Sequence, residues 1–306
     1  MAIPRKLKQR WEAYPTLKEV LKATKNLSVS PFGKTEEGLT DFRGIQLVAP
    51  KVEDLKKQLP KTETIFRDSA LKDADFSGSL WFDVSLDHSD DDKYMEIENV
   101  RFTGSKFDGY YSRRLASVIN CDFDSCVFKG LYFYDAKNCR FTNMKKSSRL
   151  EFNSGEVENC LFEGYIYKAR FHHTTVKNSK FVGTLYDGRF DSESNTQFVK
   201  WENVDATEAN FVICSVWNHD FSELYTSPSN CVMKLTEAFY ERAIANAKAH
   251  PTMAEALEKQ VEMWLKPHPT TPYEIRSIDD LTALKYTEEL SKAFFELVVK
   301  AKELVS

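Results

Sequence analysis

The chain has 306 residues, of which 42% are hydrophobic, so it is long enough to bury a substantial core. No run approaches the roughly 18 apolar residues of a membrane span, and the basic N-terminus lacks the apolar core of a secretion signal. The formal charge of -4 is unevenly distributed, because residues 1–60 are basic whereas residues 61–225 are mildly acidic.

The N-terminal segment, residues 1–60, is predicted to be helical and to act as a cap. Residues 6–14 favour a helix, and Thr16 can cap a second one. The lysines and arginines are scattered without interleaved aromatic residues, which favours a solvated face over a nucleic-acid or membrane contact. Residues 41–45 match the repeat unit of the central segment, and a short helix at 52–59 can cover the strand edge that this first unit leaves unpaired.

Aromatic residues recur through the central segment in steps of roughly 18 to 21 residues. A fixed period of this length indicates a stacked repeat architecture. Three columns are expected to point inward: Phe82, Phe102, Phe123, Phe141, Phe162, Phe181, Trp201 and Phe221; then Phe133, Phe152, Phe171, Phe190 and Phe211; then Phe107, Phe128, Tyr167 and Tyr186.

A finer period of five residues runs inside each repeat. Residues 74–78 are Ala-Asp-Phe-Ser-Gly, 121–125 are Cys-Asp-Phe-Asp-Ser and 160–164 are Cys-Leu-Phe-Glu-Gly. A helix needs apolar residues at i, i+3, i+4 and i+7, and a half-buried strand needs alternation; neither template fits. A chain that turns a corner every five residues does fit, with the aromatic residue and the small residue two positions before it facing inward.

These pentads resemble the pentapeptide-repeat family, whose fold is a right-handed, four-sided parallel β-helix. The resemblance covers about half of the chain and implies a mainly β solenoid of about eight coils at 61–226, followed by a C-terminal α-helical region at 227–306. The pentads break down at 85–100, 145–158 and 193–207. Those segments are expected to be bulging loops or coils with poor corners, so their register stays open.

Five of the six cysteines lie two residues before a central apolar residue, which is the small inward position of a pentad. A buried free cysteine packs as a small hydrophobic residue, and the five-residue spacing between the first two does not match zinc or redox motifs. Reduced core cysteines without a secretion signal favour the cytoplasm. These five are Cys121, Cys126, Cys139, Cys160 and Cys214; Cys231 lies outside the pattern.

An acidic stretch at 87–92 interrupts the early coils. Its carboxylates beside His88 could bind a hard cation, but the stretch lacks the Gly and the distal Glu of a calcium loop. A solvated loop is the favoured interpretation, and the loop is also the best candidate contact for a basic partner. The candidate contact residues are Asp87, Asp90, Asp91 and Asp92.

His172 and His173 form the other candidate pair. Successive residues of a strand point to opposite sides, so the two cannot bind one ion from one face. One is expected to point outward and the other to lie near a corner. No metal, cofactor or catalytic role is predicted for them.

Helices are predicted beyond the repeats at 232–249, from Pro251, at 278–285 behind a capping Ser277, and at 287–304. The last helix has a broad apolar stripe that must be buried. Packing on the other helices and on the last coil is the favoured interpretation, and a homodimer seam is the alternative.

Enzymatic motifs do not stand out: the sequence has no Gly-rich phosphate loop, no His-Glu-x-x-His and no Gly-x-Ser-x-Gly. We therefore expect a non-enzymatic protein. The family resemblance implies a bacterial, cytoplasmic protein of protective or immunity type that binds a protein partner, such as a toxin or a topoisomerase-like target. A carbohydrate-active β-helix enzyme is a second alternative, because a carboxylate pair needs only the right separation.

The first alternative is a DNA mimic that occupies the DNA channel of a type II topoisomerase such as gyrase, as some family members are thought to do. That role implies a strongly acidic, uninterrupted rod with a small dimerising tail. This segment is only mildly acidic, ends in a large helical region and contains the bases Arg113, Arg114, Lys145 and Lys146. Direct binding to nucleic acid or to a membrane is not expected.

Overall fold

The structure, a computed structural model, describes residues 5–50, 63–90, 93–108, 116–129, 132–144, 148–192, 198–268 and 272–303. Parallel strands wind as a β-solenoid of about seven turns, and helices follow at the C-terminus. The predicted fold class is therefore confirmed, with about seven turns in place of eight. The chain divides into two compact units, Met1–Tyr167 and Lys168–Ser306; the predicted boundaries after residues 60 and 226 stay a prediction.

The first unit begins with helices α1 (Arg5–Gln9) and α2 (Leu17–Ala23), separated by a 3-10 helix at Arg10–Ala13. Its strands pair in parallel along successive coils, mainly in the orders β1-β4-β7-β9-β11-β13 and β2-β5-β8-β10. The strands are β1 Thr40–Asp41, β2 Gln46–Val48, β3 Glu63–Arg67, β4 Leu71–Asp75, β5 Leu80–Phe82, β6 Val84–His88, β7 Met95–Arg101, β8 Lys106–Asp108, β9 Ala116–Ile119, β10 Val127–Lys129, β11 Tyr132–Lys137, β12 Arg140–Met144, β13 Glu151–Asn153, β14 Glu156–Glu158 and β15 Leu161–Tyr167.

The N-terminal helices cover the first coil. Thr16 caps α2 as predicted: its hydroxyl accepts the backbone N–H of Glu19, whose carboxylate in turn accepts the N–H of Thr16. A Cβ atom on Gly44 would lie 2.6 Å from the carbonyl oxygen of Leu7, so only glycine lets α1 lie this close to the coil. The segment 52–59, which was expected to provide this cover, lies outside the described residues.

One column of stacked rings fills the centre of this unit. Neighbouring ring centroids are 4.8–5.6 Å apart, and most of the ring planes are nearly parallel. That separation is close to the distance between hydrogen-bonded strands, so each coil places its ring directly on the ring of the previous coil. The column consists of Phe42, Phe76, Phe102, Phe123, Phe141 and Phe162, all buried.

In the first unit, two members of the predicted columns were assigned wrongly. Phe82 is 36% exposed, and the neighbouring Trp81 points inward instead, where it stacks on Phe107. Tyr167 is only partly buried, whereas Ile166 is in the core. Side chains alternate between the two faces of a strand, so an error of one residue exchanges inside and outside. The pentads break down at 85–100, yet this segment includes most of β6 and β7. Strand β6 pairs in parallel with β3, and β7 pairs in parallel with β4.

Asparagine forms one corner of successive coils. Asn99, Asn120, Asn138 and Asn159 all have φ of 53–54°, in the left-handed region. Most residues pay roughly 1–2 kcal/mol for this conformation, but Asn visits it more readily. The side-chain amides also bond along the corner, from Asn138 Nδ2 to Asn120 Oδ1 at 3.1 Å and from Asn159 Nδ2 to Asn138 Oδ1 at 3.2 Å. Asparagine therefore satisfies the backbone and links the coils.

Substitution of Asn138 tests this corner. We expect Asn138→Val to lower the free energy of unfolding by about 2–3 kcal/mol, because a branched side chain opposes the left-handed backbone and the amide bonds are lost. Asn138→Gly should cost only about 1 kcal/mol, since it keeps the backbone conformation. Urea unfolding measures both. Equal losses in the two variants would contradict the backbone argument.

The second unit continues with parallel strands and ends in a mixed module. The parallel strands are β16 Arg170–His172, β17 Thr175–Lys177, β18 Lys180–Tyr186, β19 Arg189–Asp191, β20 Val199–Glu202, β21 Val204–Val212, β22 Ser215–Val216, β23 His219–Asp220 and β24 Leu224–Thr226. The C-terminal module contains an antiparallel pair, β25 Asn230–Lys234 and β26 Tyr273–Ser277, with helices α3 Glu237–Lys248, α4 Ala254–Trp264, α5 Asp280–Ala283 and α6 Glu288–Glu303.

The ring column of this unit contains Phe181, Trp201 and Phe221, and the first two centroids are 5.5 Å apart. The predicted alignment of Phe211 with Phe190 is wrong. Phe211 is in register with Leu185, and Val216 takes the place beside Phe190. Tyr186, like Tyr167 in the first unit, is only partly buried. Within the irregular segment 193–207, the described residues form β20 and part of β21.

The C-terminal module differs from the prediction at its start. Residues 232–234 belong to β25, and the first helix begins at Glu237 behind an N-cap at Thr236. Strand β26 was not predicted. Ser277 ends β26, and although its hydroxyl accepts the N–H of Asp279 as expected, α5 begins only at Asp280. Helices α4 and α6 agree with the prediction.

This module covers the strand edge of the last coil in its unit. Asp280 Oδ1 accepts the N–H of Ile213 at 2.7 Å, and Asn230 Oδ1 accepts the N–H of Phe211 at 2.9 Å. Both side chains are buried, so they replace the hydrogen bonds that a further coil would supply. The apolar stripe of α6 is buried in the same module, including Phe294 and Val298. The favoured packing interpretation is thus confirmed, whereas the homodimer stays a prediction.

A buried ion group lies in the module. Arg276 is 3.4 Å from Glu274 and 3.7 Å from Asp280, and its guanidinium lies 4.7 Å from the ring centroid of Trp264. Burial raises the pKa of Glu274 to about 7, although the charge of Arg276 opposes the shift. One cation faces two carboxylates, so near neutral pH one carboxylate holds a proton.

The raised pKa of Glu274 predicts a pH-dependent stability. The ordinary pKa is 4.5, so between pH 4.5 and about 7 the folded state holds a proton that the unfolded state lacks, and the free energy of unfolding falls as pH rises through this window. Glu274→Gln should remove this dependence and be more stable than the parent at pH 8 by about 1–3 kcal/mol. Urea unfolding at pH 5 and pH 8 checks this, with exposed Glu262→Gln as the control. Parallel pH curves for parent and Glu274→Gln would contradict it.

Candidate functional site

The structure separates the acidic residues expected to contact a partner. Asp87, near the end of β6, is buried, and its Oδ1 accepts the N–H of His88 at 2.9 Å. Asp90 is exposed, lies 3.2 Å from Lys93 Nζ, and donates its N–H to His88 Nδ1. Asp91 and Asp92 lie outside the described residues. The partner contact at these four residues stays a prediction.

A groove of about 380 Å³ lies beside this turn, and we call it the β6–β11 groove. Its residues are far apart in sequence but belong to successive coils; for example, Glu96 of β7 is in register with Ser117 of β9. Parallel coils place equivalent outward side chains side by side, so the groove follows from the solenoid register. It is lined by Asp68, Ala70, His88, Lys93, Tyr94, Glu96, Ser117 and Asp135.

A stacked tyrosine pair borders the groove. Tyr94 is 43% exposed, and its ring lies 4.0 Å from that of Tyr134, with an interplanar angle of 16°. Gly155 makes room for the backbone beneath this pair, because a Cβ there would lie 1.9 Å from the Tyr134 carbonyl oxygen and 2.5 Å from Asp135 Oδ1. The groove therefore has an aromatic surface on a closely packed base.

The groove carboxylates lack the cations that pair with other acids of this unit. Elsewhere, Lys72 meets Glu98 at 2.5 Å and Lys137 meets Glu158 at 2.7 Å across adjacent coils. In contrast, three groove carboxylates form no ion pair with any residue that the structure describes: Asp68, Glu96 and Asp135.

Local bonds hold two of these carboxylates. Asp135 Oδ1 accepts the N–H of Glu156 at 2.8 Å, and Asp68 accepts the hydroxyl of Ser89. Burial raises the pKa of Asp135, and the nearby charge of Glu156 adds to the shift. Both effects disfavour a second negative charge at this place, so a cation in the groove would be stabilised.

The histidine pair of the second unit divides as predicted. His172 lies in β16, with Nδ1 3.1 Å from Asp191 Oδ1, and His173 occupies a corner with φ of 49°. Within the described ranges, no group of three His, Cys, Asp or Glu side chains could hold a metal ion. Nor does any described helix combine the length and apolarity needed to cross a bilayer.

The sequence analysis missed His219, which is fully buried in the second unit. It lies two residues before Phe221, in the small inward position that cysteine occupies elsewhere, and neither ring nitrogen has a hydrogen-bond partner among the described residues. Burial lowers the pKa of His219 to about 4. Its spacing from Phe221 was the available signal, and it indicates a neutral core residue.

No protein-family model and no curated protein sequence matches the chain. Among solved structures, it is similar to QnrB1, described as a plasmid-mediated fluoroquinolone resistance protein, with 14% identity, a TM-score of 0.20, and coverage of 55% of this chain and 92% of that chain. A likeness of this size says nothing about function. The fold follows from the inward rings stacked coil on coil and the small residue two positions before each ring. It is a parallel β-solenoid.

The parallel β-solenoid determines where a groove can form. Its interior is filled by rings and small residues, so its recognition groups must be outward side chains and loops. The coil containing Phe76 spans 26 residues to Phe102, whereas the coil from Phe123 to Phe141 spans 18. The longer coils lie where the groove opens, and their extra residues include His88, Lys93 and Tyr94.

Gly155→Ala tests the base of the groove. We expect a loss in the free energy of unfolding of about 2–3 kcal/mol, because the added Cβ overlaps the backbone of Tyr134. The control is Gly33→Ala, which meets no atom within 4 Å and should cost only about 1 kcal/mol for its positive φ. Urea unfolding compares the two. Equal costs would show that the backbone of Tyr134 can move aside.

Proposed function

We propose that this protein is a non-enzymatic binding protein that acts through protein–protein contact at the β6–β11 groove. The observation that carries the proposal is the set of groove carboxylates that form no ion pair with a described residue, beside a stacked tyrosine pair of which Tyr94 is exposed. A concave surface with a few polar groups and aromatic side chains is the usual form of a binding site. The sequence also has none of the phosphate-loop, zinc-protease or nucleophile motifs sought above.

The scaffold supports this role because it is already ordered. In the first unit, stacked rings fill the interior and parallel hydrogen bonds join the coils. A preformed groove loses little conformational entropy on binding. Aromatic residues are enriched at protein interfaces, which suits Tyr94 and Tyr134.

We further propose a cytoplasmic, protective or immunity-type role in a bacterium, with a toxin or a topoisomerase-like protein as the partner. The family resemblance suggests this role. The six cysteines are all free and buried, which suits a reducing compartment. Self-association through the C-terminal module is a separate proposal, for which the exposed Met263 and Tyr286 are candidate contacts.

A DNA mimic would need rows of negative charge that a basic channel can read. The observed pairing opposes this role, because bases neutralise acids across the coils of the first unit. Lys129 contacts Asp108 from the next coil, in addition to the Lys72–Glu98 and Lys137–Glu158 pairs. Within β8, Lys106 contacts Asp108 as well. The gyrase alternative is therefore less favoured than recognition of another protein through one groove.

Capture of partners from a lysate of the source organism tests the proposed function. We expect the full-length protein to retain a protein partner, the double variant Glu96→Gln/Asp135→Asn to lose most of it, and the control Glu36→Gln to retain it. The control removes one negative charge from an exposed site of the first unit that does not line the groove. Quantitative mass spectrometry of the captured proteins measures the difference.

The same preparation separates the alternatives. At micromolar concentration, the protein should change DNA supercoiling by gyrase only slightly. Strong inhibition, or protection of gyrase from a quinolone, would favour the DNA mimic. Equal capture by the parent and the double variant would contradict a contact at the groove.

A further inference from the structure

We propose that the β6–β11 groove binds the guanidinium group of an arginine on the protein partner. This inference rests on the proposed function and specifies its chemistry. Three features of the groove carry it: the charge of its lining, the exposed tyrosine face and its size.

The charge of the lining selects a cation. Asp68, Glu96 and Asp135 contribute three carboxylates that form no ion pair within the described part of the chain. Lys93, the basic residue of the lining other than His88, lies 3.2 Å from Asp90. Glu156 adds a further negative charge near Asp135. Asp135 is held by the N–H of Glu156 and is partly desolvated, and such a carboxylate gains more from an incoming cation than a fully solvated one does.

The aromatic surface selects a planar cation. Tyr134 covers one face of the Tyr94 ring at 4.0 Å, and Tyr94 remains 43% exposed. A guanidinium group can stack on an aromatic face and also donate two parallel hydrogen bonds to one carboxylate. A lysine ammonium is a strongly hydrated point charge that does neither as well.

The size suits a side chain presented by a protein. A volume of about 380 Å³ lies at the lower end of ligand pockets. The lining comes from successive coils, from Asp68 to Asp135, so the groove can accommodate the flanking backbone of a peptide as well as the arginine itself. The inference therefore commits to an arginine in a polypeptide segment.

Short peptides of defined sequence test this selectivity. The probes are acetyl-Gly-Gly-Arg-Gly-Gly-amide, its lysine analogue and its citrulline analogue, which keeps the shape of arginine without the charge. Binding to the full chain is followed through the backbone amide signals of Tyr94, Glu96 and Asp135 in ¹H–¹⁵N NMR spectra. We expect the arginine peptide to bind at least about fivefold more tightly than the lysine peptide, and the citrulline peptide to bind weakest.

Variants separate charge from stacking. Glu96→Gln should weaken the arginine peptide several-fold, Tyr94→Leu should remove most of the preference for arginine over lysine, and Tyr94→Phe should keep it. The control Glu36→Gln should behave like the parent. Thermal unfolding of each variant shows whether it is folded, and the Glu96→Gln variant keeps the test decisive if Tyr94→Leu does not fold.

Several results would overturn the inference. These are equal affinity for the arginine and lysine peptides, signal changes away from the groove, or unchanged binding by Glu96→Gln. If the peptides fail in this way while partner capture still depends on Glu96 and Asp135, the guanidinium inference is wrong and the proposed function stands. If neither depends on the groove, both are wrong.

Discussion

The structure depends on one repeated contact, the stacking of an inward ring on the ring of the next coil. In the first unit these rings are 4.8–5.6 Å apart, close to the separation of hydrogen-bonded strands. Ring stacking and strand pairing therefore require the same coil spacing. The ring then fixes the residues before it: a small residue such as Cys139 lies two positions before Phe141, and Asn138 turns the corner three positions before it. The five-residue period is the result of these requirements.

The sequence was sufficient where coils are short and regular. Phe123, Phe141 and Phe162 were predicted to stack, and they do. It was insufficient where a coil is longer, because Trp81 and Phe82 lie 21 and 20 residues before Phe102, so period counting accepts both. The asparagine corners could have been predicted, since an asparagine precedes the small residue at 99, 120, 138 and 159. That signal is local, and it follows from the left-handed backbone that asparagine tolerates.

In the C-terminal module, the local sequence pattern predicted the wrong secondary structure. Residues 232–239 satisfy a helical apolar spacing, yet Cys231 and Met233 are buried by alternation in β25. Pairing with β26 decides this, and its partner residues lie about forty positions later, from Tyr273 to Ser277. Pattern analysis could not find β26 either, because two of its five residues, Glu274 and Arg276, are charged and buried. A buried ion group gives no apolar signal, so only the tertiary structure reveals it.

The candidate site also depends on tertiary structure that the sequence pattern does not reveal. The acidic run at 87–92 indicated the turn beside the groove, but within the described residues only His88 of that run lines the groove. The remaining lining comes from coils whose lengths differ, so their register could not be derived from sequence. Across the first unit, cross-coil pairs such as Lys72–Glu98 neutralise outward charge as a by-product of stacking. Asp135 is partly desolvated and forms no ion pair with any described residue, so it is an exception to that pairing. We therefore place the proposed partner-binding site at the groove, where the described carboxylates do not take part in these cross-coil ion pairs.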